Sequence, residues 1–264
     1  MSKKLLELFS GTHSIGKVAQ TLDYDVYSVD KYMGPKCPFG TNYCSSKHFK
    51  EDIMTWNYKQ FPPGFFHVIT ASPVCRLWSK LRHTWVGRTL KGSSKPLTLE
   101  DIQHDIDVHA KPQIDRLLQI MSYFKPVWWC IENPSSSKLK QYLPMTKLPF
   151  VEVDYCKYSN WGYRKRTRLW TNIKFKPKMC HNDCENLINT GKQIVHKNYL
   201  GCGRTVVLIL NGKIKRVTTK TYNSKYTHIK PVMFSHETTT IEKYRIPQSL
   251  VLDILKETVH NTHK

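Results

Sequence analysis

The chain predicts an α/β fold built on a doubly wound, mostly parallel sheet, with a small recognition region appended toward the C-terminal end. Three observations carry this. Short apolar runs alternate with stretches of helical period through the first part of the chain. A glycine-containing turn follows the first run. Acidic and cysteine residues stand where later runs end, on the side of an open sheet where ligands bind.

Leu5-Leu6-Glu7-Leu8-Phe9 reads as a buried strand that leads through the turn into a helix from about Ile15 to Leu22. Val26-Tyr27-Ser28-Val29-Asp30 is the second strand and ends on an acid. After a loop rich in Pro, Gly and Cys, Phe66-His67-Val68-Ile69-Thr70 forms the next strand, inside the apolar run Phe65 to Ala71. The polar stretch from about Gly87 to Asp105 contains Gly92-Ser93-Ser94-Lys95-Pro96 and reads as a mobile loop or a linker. Ile114, Leu117, Leu118, Met121 and Phe124 keep helical spacing and stop before Pro126. Val127 to Ile131 is a further strand, with Trp128 and Trp129 as core residues. From about Lys174 to His236 the chain turns polar and basic, with short β-like runs such as Val206 to Leu210. A helical pattern resumes after Pro247 through Leu250, Ile254 and Leu255. The expected organisation is a main domain over 1–173, a recognition region over 174–236, and a C-terminal helix within 237–264 that returns to the main domain.

A hydrophobic fraction of 40% over 264 residues is enough for a sizeable core and argues against wholesale disorder. Lys and Arg number 41 against 20 for Asp and Glu, a net charge of +21. That balance points to a polyanionic partner, with nucleic acid ahead of membrane because no amphipathic basic helix stands out. No run of roughly 20 apolar residues exists to span a membrane. Met1-Ser2-Lys3-Lys4 and the short run after it do not read as a signal peptide. The eight cysteines lack the dense spacing of a secreted scaffold, so a reducing intracellular setting and free thiols are expected. A monomer is expected.

Phe9-Ser10-Gly11-Thr12-His13 forms a strand-to-helix turn in which glycine lets the backbone approach a ligand. Asp30, at the end of the second strand, is placed to accept bonds from the two hydroxyls of a ribose. Asp52 and Ile53 offer a polar contact and an apolar face to an adenine. Together they suggest an adenosine-containing cofactor, and the lack of a Gly-Lys-Ser/Thr loop gives ATP hydrolysis no support. Ser72-Pro73-Val74-Cys75 places a cysteine on a turn at a strand tip, with Arg76 supplying charge that favours thiolate. Glu132-Asn133-Pro134 puts a carboxylate at another tip. In Arg164-Lys165-Arg166-Thr167-Arg168 the alternation sends Arg166 and Arg168 to one side, where guanidiniums can hold a carboxylate and a base carbonyl. Cys180-His181-Asn182-Asp183-Cys184, with Cys202 later, raises a zinc reading. A fourth ligand at sensible spacing is not evident, so packed or solvent-facing thiols and no metal are expected.

These residues, in this order, resemble the cytosine-5 DNA methyltransferase family, particularly its short forms in phages and large DNA viruses. Leu8-Phe9-Ser10-Gly11 is similar to the family's first cofactor motif, Asp30 to its ribose-binding acid, and Asp52-Ile53 to its adenine-binding pair. Ser72-Pro73-Val74-Cys75 is similar to the Pro-Cys loop, Glu132-Asn133 to the Glu-Asn motif, and Arg166-Thr167-Arg168 to the Arg-x-Arg motif. The resemblance runs from about Leu5 to Asn172. It implies S-adenosylmethionine held by Phe9, Ser10, Gly11, Thr12, His13, Asp30, Asp52, Ile53 and Pro73. It also implies Cys75 as nucleophile, Glu132 on the base ring, Arg168 on the base carbonyl, and Arg166 orienting Glu132 or the cysteine loop. DNA is the implied substrate, with RNA as the alternative, and a viral chain would act in the host cytoplasm or nucleus. A basic nucleic-acid-binding protein that kept the fold without turnover is the non-enzymatic alternative. The departures are His13 at a family glycine, Val74 for proline, Arg76 and Arg164 for glutamine, and Pro134 for valine. No Gly-Asn motif stands near the C-terminus, where Arg245-Ile246-Pro247 takes its place.

Overall fold

The first apolar run becomes the central strand of the computed structural model, which describes residues 3–32, 47–90, 92–189, 193–198, 205–229, 231, 233–235 and 244–260. In this strand, β1 (Lys4–Leu8), residues Leu5, Leu6 and Leu8 are fully buried, as a parallel strand covered on both faces requires. Strands β2 (Asp25–Val29) and β4 (Val68–Ala71) pair with β1 in parallel on its two sides. Strand β3 (Lys47–Phe49) extends the β2 edge, and β5 (Trp128–Pro134) pairs in parallel with β4. Strand β7 (Arg166–Thr171) runs antiparallel to β5 and to β6 (Phe150–Asp154). The seven strands lie in the order β3-β2-β1-β4-β5-β7-β6. Strand order reverses between β1 and β4, and the crevice outside their carboxyl ends is the ligand-binding place of such sheets.

Helices cover both faces. On one, α1 (Ser14–Gln20) and the C-terminal helix, α6 below (Gln248–His260), pack Ile15, Val18, Leu250 and Ile254 onto Leu5, Val68 and Leu169. On the other, α2 (Leu99–Asp105) and α3 (Lys111–Phe124) pack Ile102, Ile114, Leu117 and Phe124 onto Leu6, Ile69 and Ile131. Helix α2 corrects the expectation of a loop or linker through Asp105. Thr98 accepts from the Asp101 amide while the Asp101 carboxylate accepts from the Thr98 amide, a capping box that starts the helix well before the apolar period does. A wide turn at Ile106–Ala110 carries α2 into α3. It accommodates Pro112, which has no N–H to give to an ordinary helical turn.

A one-turn helix α4 (Leu143–Thr146) lies between β5 and β6. Beyond β7, β8 (Leu187–Asn189) and β9 (Ile194–His196) form an antiparallel pair. Strands β10 (Thr205–Leu210), β11 (Lys213–Thr218) and β12 (Met233–Ser235) form a separate sheet in the order β11-β10-β12, joined to α5 (Thr219–Lys225). Asn211 and Gly212 turn the β10–β11 hairpin with φ of 48° and 69°, the left-handed pair that suits right-twisted strands. Val206, Leu208 and Val217 make this sheet's own small core with Tyr222 and Tyr226.

Helix α6, the sixth among the described residues, closes the fold back on its beginning. Lys3 Nζ donates to the Thr258 and Val259 carbonyls at 2.8 and 3.0 Å, placing a cation at the carboxyl end of α6. The Ile246 amide donates to Ser14 Oγ at 3.0 Å, at the first residue of α1. No helix among the described residues is long and apolar enough to cross a membrane. Leu250 is fully buried between α6 and the sheet. Leu250→Ala is expected to lower unfolding stability by about 2–5 kcal/mol, read as a shift of the urea midpoint at unchanged slope.

Candidate active site

The turn after β1 is made of left-handed residues: φ is 53° at Phe9, 46° at Gly11 and 52° at His13. Only Gly11 adopts this without strain, whereas Phe9 and His13 each carry about 1–2 kcal/mol held by the surrounding packing. The Asp30 carboxylate secures the turn by accepting from the Gly11 amide at 2.9 Å, and its other oxygen accepts from Tyr32 at 2.8 Å. Ser10 and Thr12 are buried within the turn. The His13 ring is fully buried, 3.9 Å from Glu7 and edge-on to His48.

Glu7 lies on β1 beneath the start of α1 and accepts from the Ile15 and Gly16 amides, each at 3.1 Å. A carboxylate therefore fills the helix N-terminus where a dinucleotide fold would seat a phosphate. Asp52, paired with Lys31 at 2.8 Å and accepting from the Met54 amide, stands beside the buried Ile53.

Across the crevice, the Asn133 side-chain amide donates to the Pro73 carbonyl at 2.9 Å and ties the cysteine loop to the tip of β5. Cys75 is half-buried, and burial pushes its thiol above the ordinary 9.0, with the Glu132 charge pushing the same way. The side chain that counters them is Lys165, not the exposed Arg76 to which the sequence assigned thiolate activation. Cys130, also near Glu132, is buried and pushed up to about 12, which leaves it inert. Glu132 is itself buried and accepts from the Tyr155 hydroxyl at 3.1 Å, with Lys165 Nζ at 3.6 Å.

The arginines depart from expectation. Asn133 stands opposite Arg168 in the β5–β7 ladder and Glu132 opposite Leu169, so Arg166 and Arg168 share the face that Glu132 does not. Arg168 pairs instead with Glu152 at 2.8 Å and lies over the Phe150 ring. Arg166 and Arg164 both pair with Asp154, each at 3.0 Å, and Asp154 is fully buried. The cation that shares Glu132's side is Lys165. Its odd position in the basic run, in step with Thr167 and Leu169, is the signal that could have found it.

The thiols depart as well. Ligand atoms of Cys156, Cys180, Cys184 and His196 all lie within 4.8 Å of one another, rather than packing separately. Cys156 and His196 are the partners the spacing did not reveal, and Cys202 lies outside the described residues.

A sheet with one reversed strand, a glycine turn whose following helix amides are taken by Glu7, and a cysteine loop bound to a Glu-Asn strand end define a Rossmann-like methyltransferase. Over 189 residues the chain is 36% identical to the probable DNA (cytosine-5)-methyltransferase of Frog virus 3 (isolate Goorha), covering 70% of this chain and 78% of that protein. The chain belongs to the DNA (cytosine-5)-methyltransferase family. No family model matches it. A putative DNA modification methyltransferase encoded within an E. coli prophage aligns with TM-score 0.44 and 16% identity, over 77% of this chain and 59% of that one. S. pombe Dnmt2 methyltransferase gives 0.41 and 17%, over 86% and 66%. The Entamoeba histolytica methyltransferase EhMeth gives 0.45 and 12%, over 74% and 63%. The chain thus spans less than two thirds of the prophage and Entamoeba proteins, and the family assignment rests on the viral relative.

Because its pKa lies above 9.0, Cys75 is expected to react with iodoacetamide at a rate still rising at pH 9. Glu132→Gln removes the carboxylate charge, lowers that pKa and should speed alkylation at pH 8 a few-fold, whereas Lys165→Met should slow it. Mass spectrometry of the Cys75 peptide reads both.

Proposed function

We propose that this chain methylates carbon 5 of cytosine in DNA, using S-adenosylmethionine and Cys75 as a covalent nucleophile. The observation that carries the reading is the Asn133 to Pro73 bond, which holds Cys75 where Glu132 and Lys165 act on it. Phe9, Ser10, Gly11, Thr12 and Asp30 would hold the cofactor's ribose and methionine portions, with Asp52 and Ile53 at the adenine and Pro73 closing the crevice. The cofactor supplies an electrophilic methyl group when bound.

The target cytosine must leave the duplex, because carbon 6 is otherwise stacked. A flipped base engages Glu132, whose charge adds to burial in pushing the Cys75 thiol up, and so removes part of that upward push. The Cys75 thiol gives up its proton to solvent as its sulfur bonds carbon 6, and the 5,6 π electrons move to carbon 5, the condition for methyl transfer to that atom. Glu132, fixed by Tyr155, contacts ring nitrogen 3 and the amine, and Lys165 offsets the charge that gathers there. Removal of the carbon 5 proton to a base re-forms the double bond and expels the sulfur. Arg168 and Arg166 serve this reading as supports of the β6–β7 edge through Glu152 and Asp154, not as direct contacts to the base.

The small sheet β11-β10-β12 and the segment before it would read the target, and the +21 charge favours duplex phosphates. A single chain carries every group used here, so the enzyme would work as a monomer, inside the cell that holds its DNA.

The test is transfer of labelled methyl from S-adenosylmethionine to mixed-sequence duplex DNA, with RNA in parallel. Label is expected on carbon 5 of cytosine in DNA, with a loss of more than about 10³-fold in Cys75→Ser and cofactor affinity retained. Label in RNA alone would move the substrate to RNA. Undiminished transfer in Cys75→Ser would overturn the covalent role.

A further inference from the structure

The cluster of Cys156, Cys180, Cys184 and His196 is absorbed by nothing in the reaction above. Its members come from three separate stretches. Cys156 lies in the turn after β6, Cys180 and Cys184 lie in the segment beyond β7, and His196 ends β9. Cysteines packing merely as small hydrophobes have no reason to gather an imidazole nitrogen among three sulfurs. His196 Nε2 is 3.4 Å from Cys184 Sγ and 3.7 Å from Cys180 Sγ. Two donors on one tetrahedral zinc, with Zn–S about 2.3 Å and Zn–N about 2.05 Å, stand about 3.6 Å apart. The observed distances bracket that value. The spacing of Cys180 and Cys184 also falls within the range of structural zinc motifs.

Arg164 lies near Cys156 and Cys180, and Lys157 near Cys180 and Cys184. Between Cys180 and Cys184 the chain turns at Asn182 with a left-handed backbone, φ 62°. The scaffold is fixed independently of the sulfurs. The buried Asn186 donates to the Cys156 and Ser159 carbonyls at 2.8 and 2.7 Å and accepts from the Gly162 amide at 2.9 Å. Asn198 donates from its backbone to the Gly162 carbonyl, and Gly162 has φ 82°, with no room for a Cβ against the Asn198 side chain. The Cys180 amide is held by Asp154 at 2.9 Å. All four donors are thereby presented to one point from a rigid frame.

We propose that Cys156, Cys180, Cys184 and His196 bind one zinc ion in a closed tetrahedral site that fastens the β8–β9 segment to the last strands of the catalytic sheet. The donor set of three sulfurs and one imidazole nitrogen selects zinc over calcium, magnesium or manganese, which take oxygen ligands. Four protein ligands leave no open position, so the ion is structural and takes no part in methyl transfer. The assignment stands on these side chains alone and survives if the reaction proposed above fails.

The test is metal analysis of the full chain purified under reducing conditions without chelator. About one zinc per chain is expected, falling more than tenfold in Cys184→Ser and in His196→Ala. Since either variant could misfold, cobalt is added to the wild-type chain after its metal is stripped. Thiolate-to-cobalt charge transfer and the visible bands of tetrahedral cobalt are expected, bleached by one equivalent of zinc. Zinc-free protein that gives no such bands, or a disulfide among the three cysteines in reduced preparations, would overturn the site. Full zinc content in both variants would overturn the ligand assignment.

Discussion

Glu132 and Asn133 are consecutive residues of one strand, and a strand must send consecutive side chains to opposite faces. The site depends on that constraint. Asn133 turns toward the face carrying Arg168 and grips the Pro73 carbonyl, while Glu132 turns toward Tyr155 and Lys165. One residue positions the cysteine loop and its neighbour's charge acts on the thiol, so a shift of one position in the β5–β7 register would exchange the roles and destroy both. The same alternation in β7 decides that Lys165, rather than either arginine of the Arg-x-Arg run, is the cation beside Glu132.

Asp154 is the second joint. A fully buried carboxylate is costly unless paired and hydrogen-bonded, and this one faces two guanidiniums and the Cys180 amide. It sits at the end of β6, so the charges that neutralise it also bind the sheet's last strands to the chain that leads into the basic region. The cysteine–histidine cluster and Asn186 reinforce the same seam. The segment beyond β7 is thus continuous with the catalytic sheet rather than hung from it by a linker. The small sheet of β10, β11 and β12, by contrast, rests on a core of its own.

Two side chains set the character of the turn after β1. Glu7 supplies the negative charge that the α1 amides would otherwise seek from a phosphate. His13, in place of a glycine, keeps the left-handed backbone and buries its ring against Glu7 and His48, so the turn survives the substitution.

The strands around Leu5–Leu8, Val26–Val29, Val68–Ala71 and Trp128–Ile131, the α3 and α6 helices, and the identities of Gly11, Asp30, Cys75, Glu132 and Asn133 as strand-end residues were legible in the sequence. They rest on continuous apolar runs, on a helical period near four, and on turn chemistry, which neighbouring residues write among themselves. Helix α2 was missed because its signal is a pair of polar caps, Thr98 and Asp101, inside a stretch that looks like a loop. By itself the sequence determined the elements, their charge and the candidate chemistry of each strand tip. Only the tertiary structure decided that burial and Glu132 push the Cys75 thiol up, that Lys165 rather than Arg166 or Arg168 attends Glu132, and that Cys156 and His196 complete a set with Cys180 and Cys184. Each of those turns on the distance between residues far apart in the chain, which strand order and pairing set and local spacing does not encode.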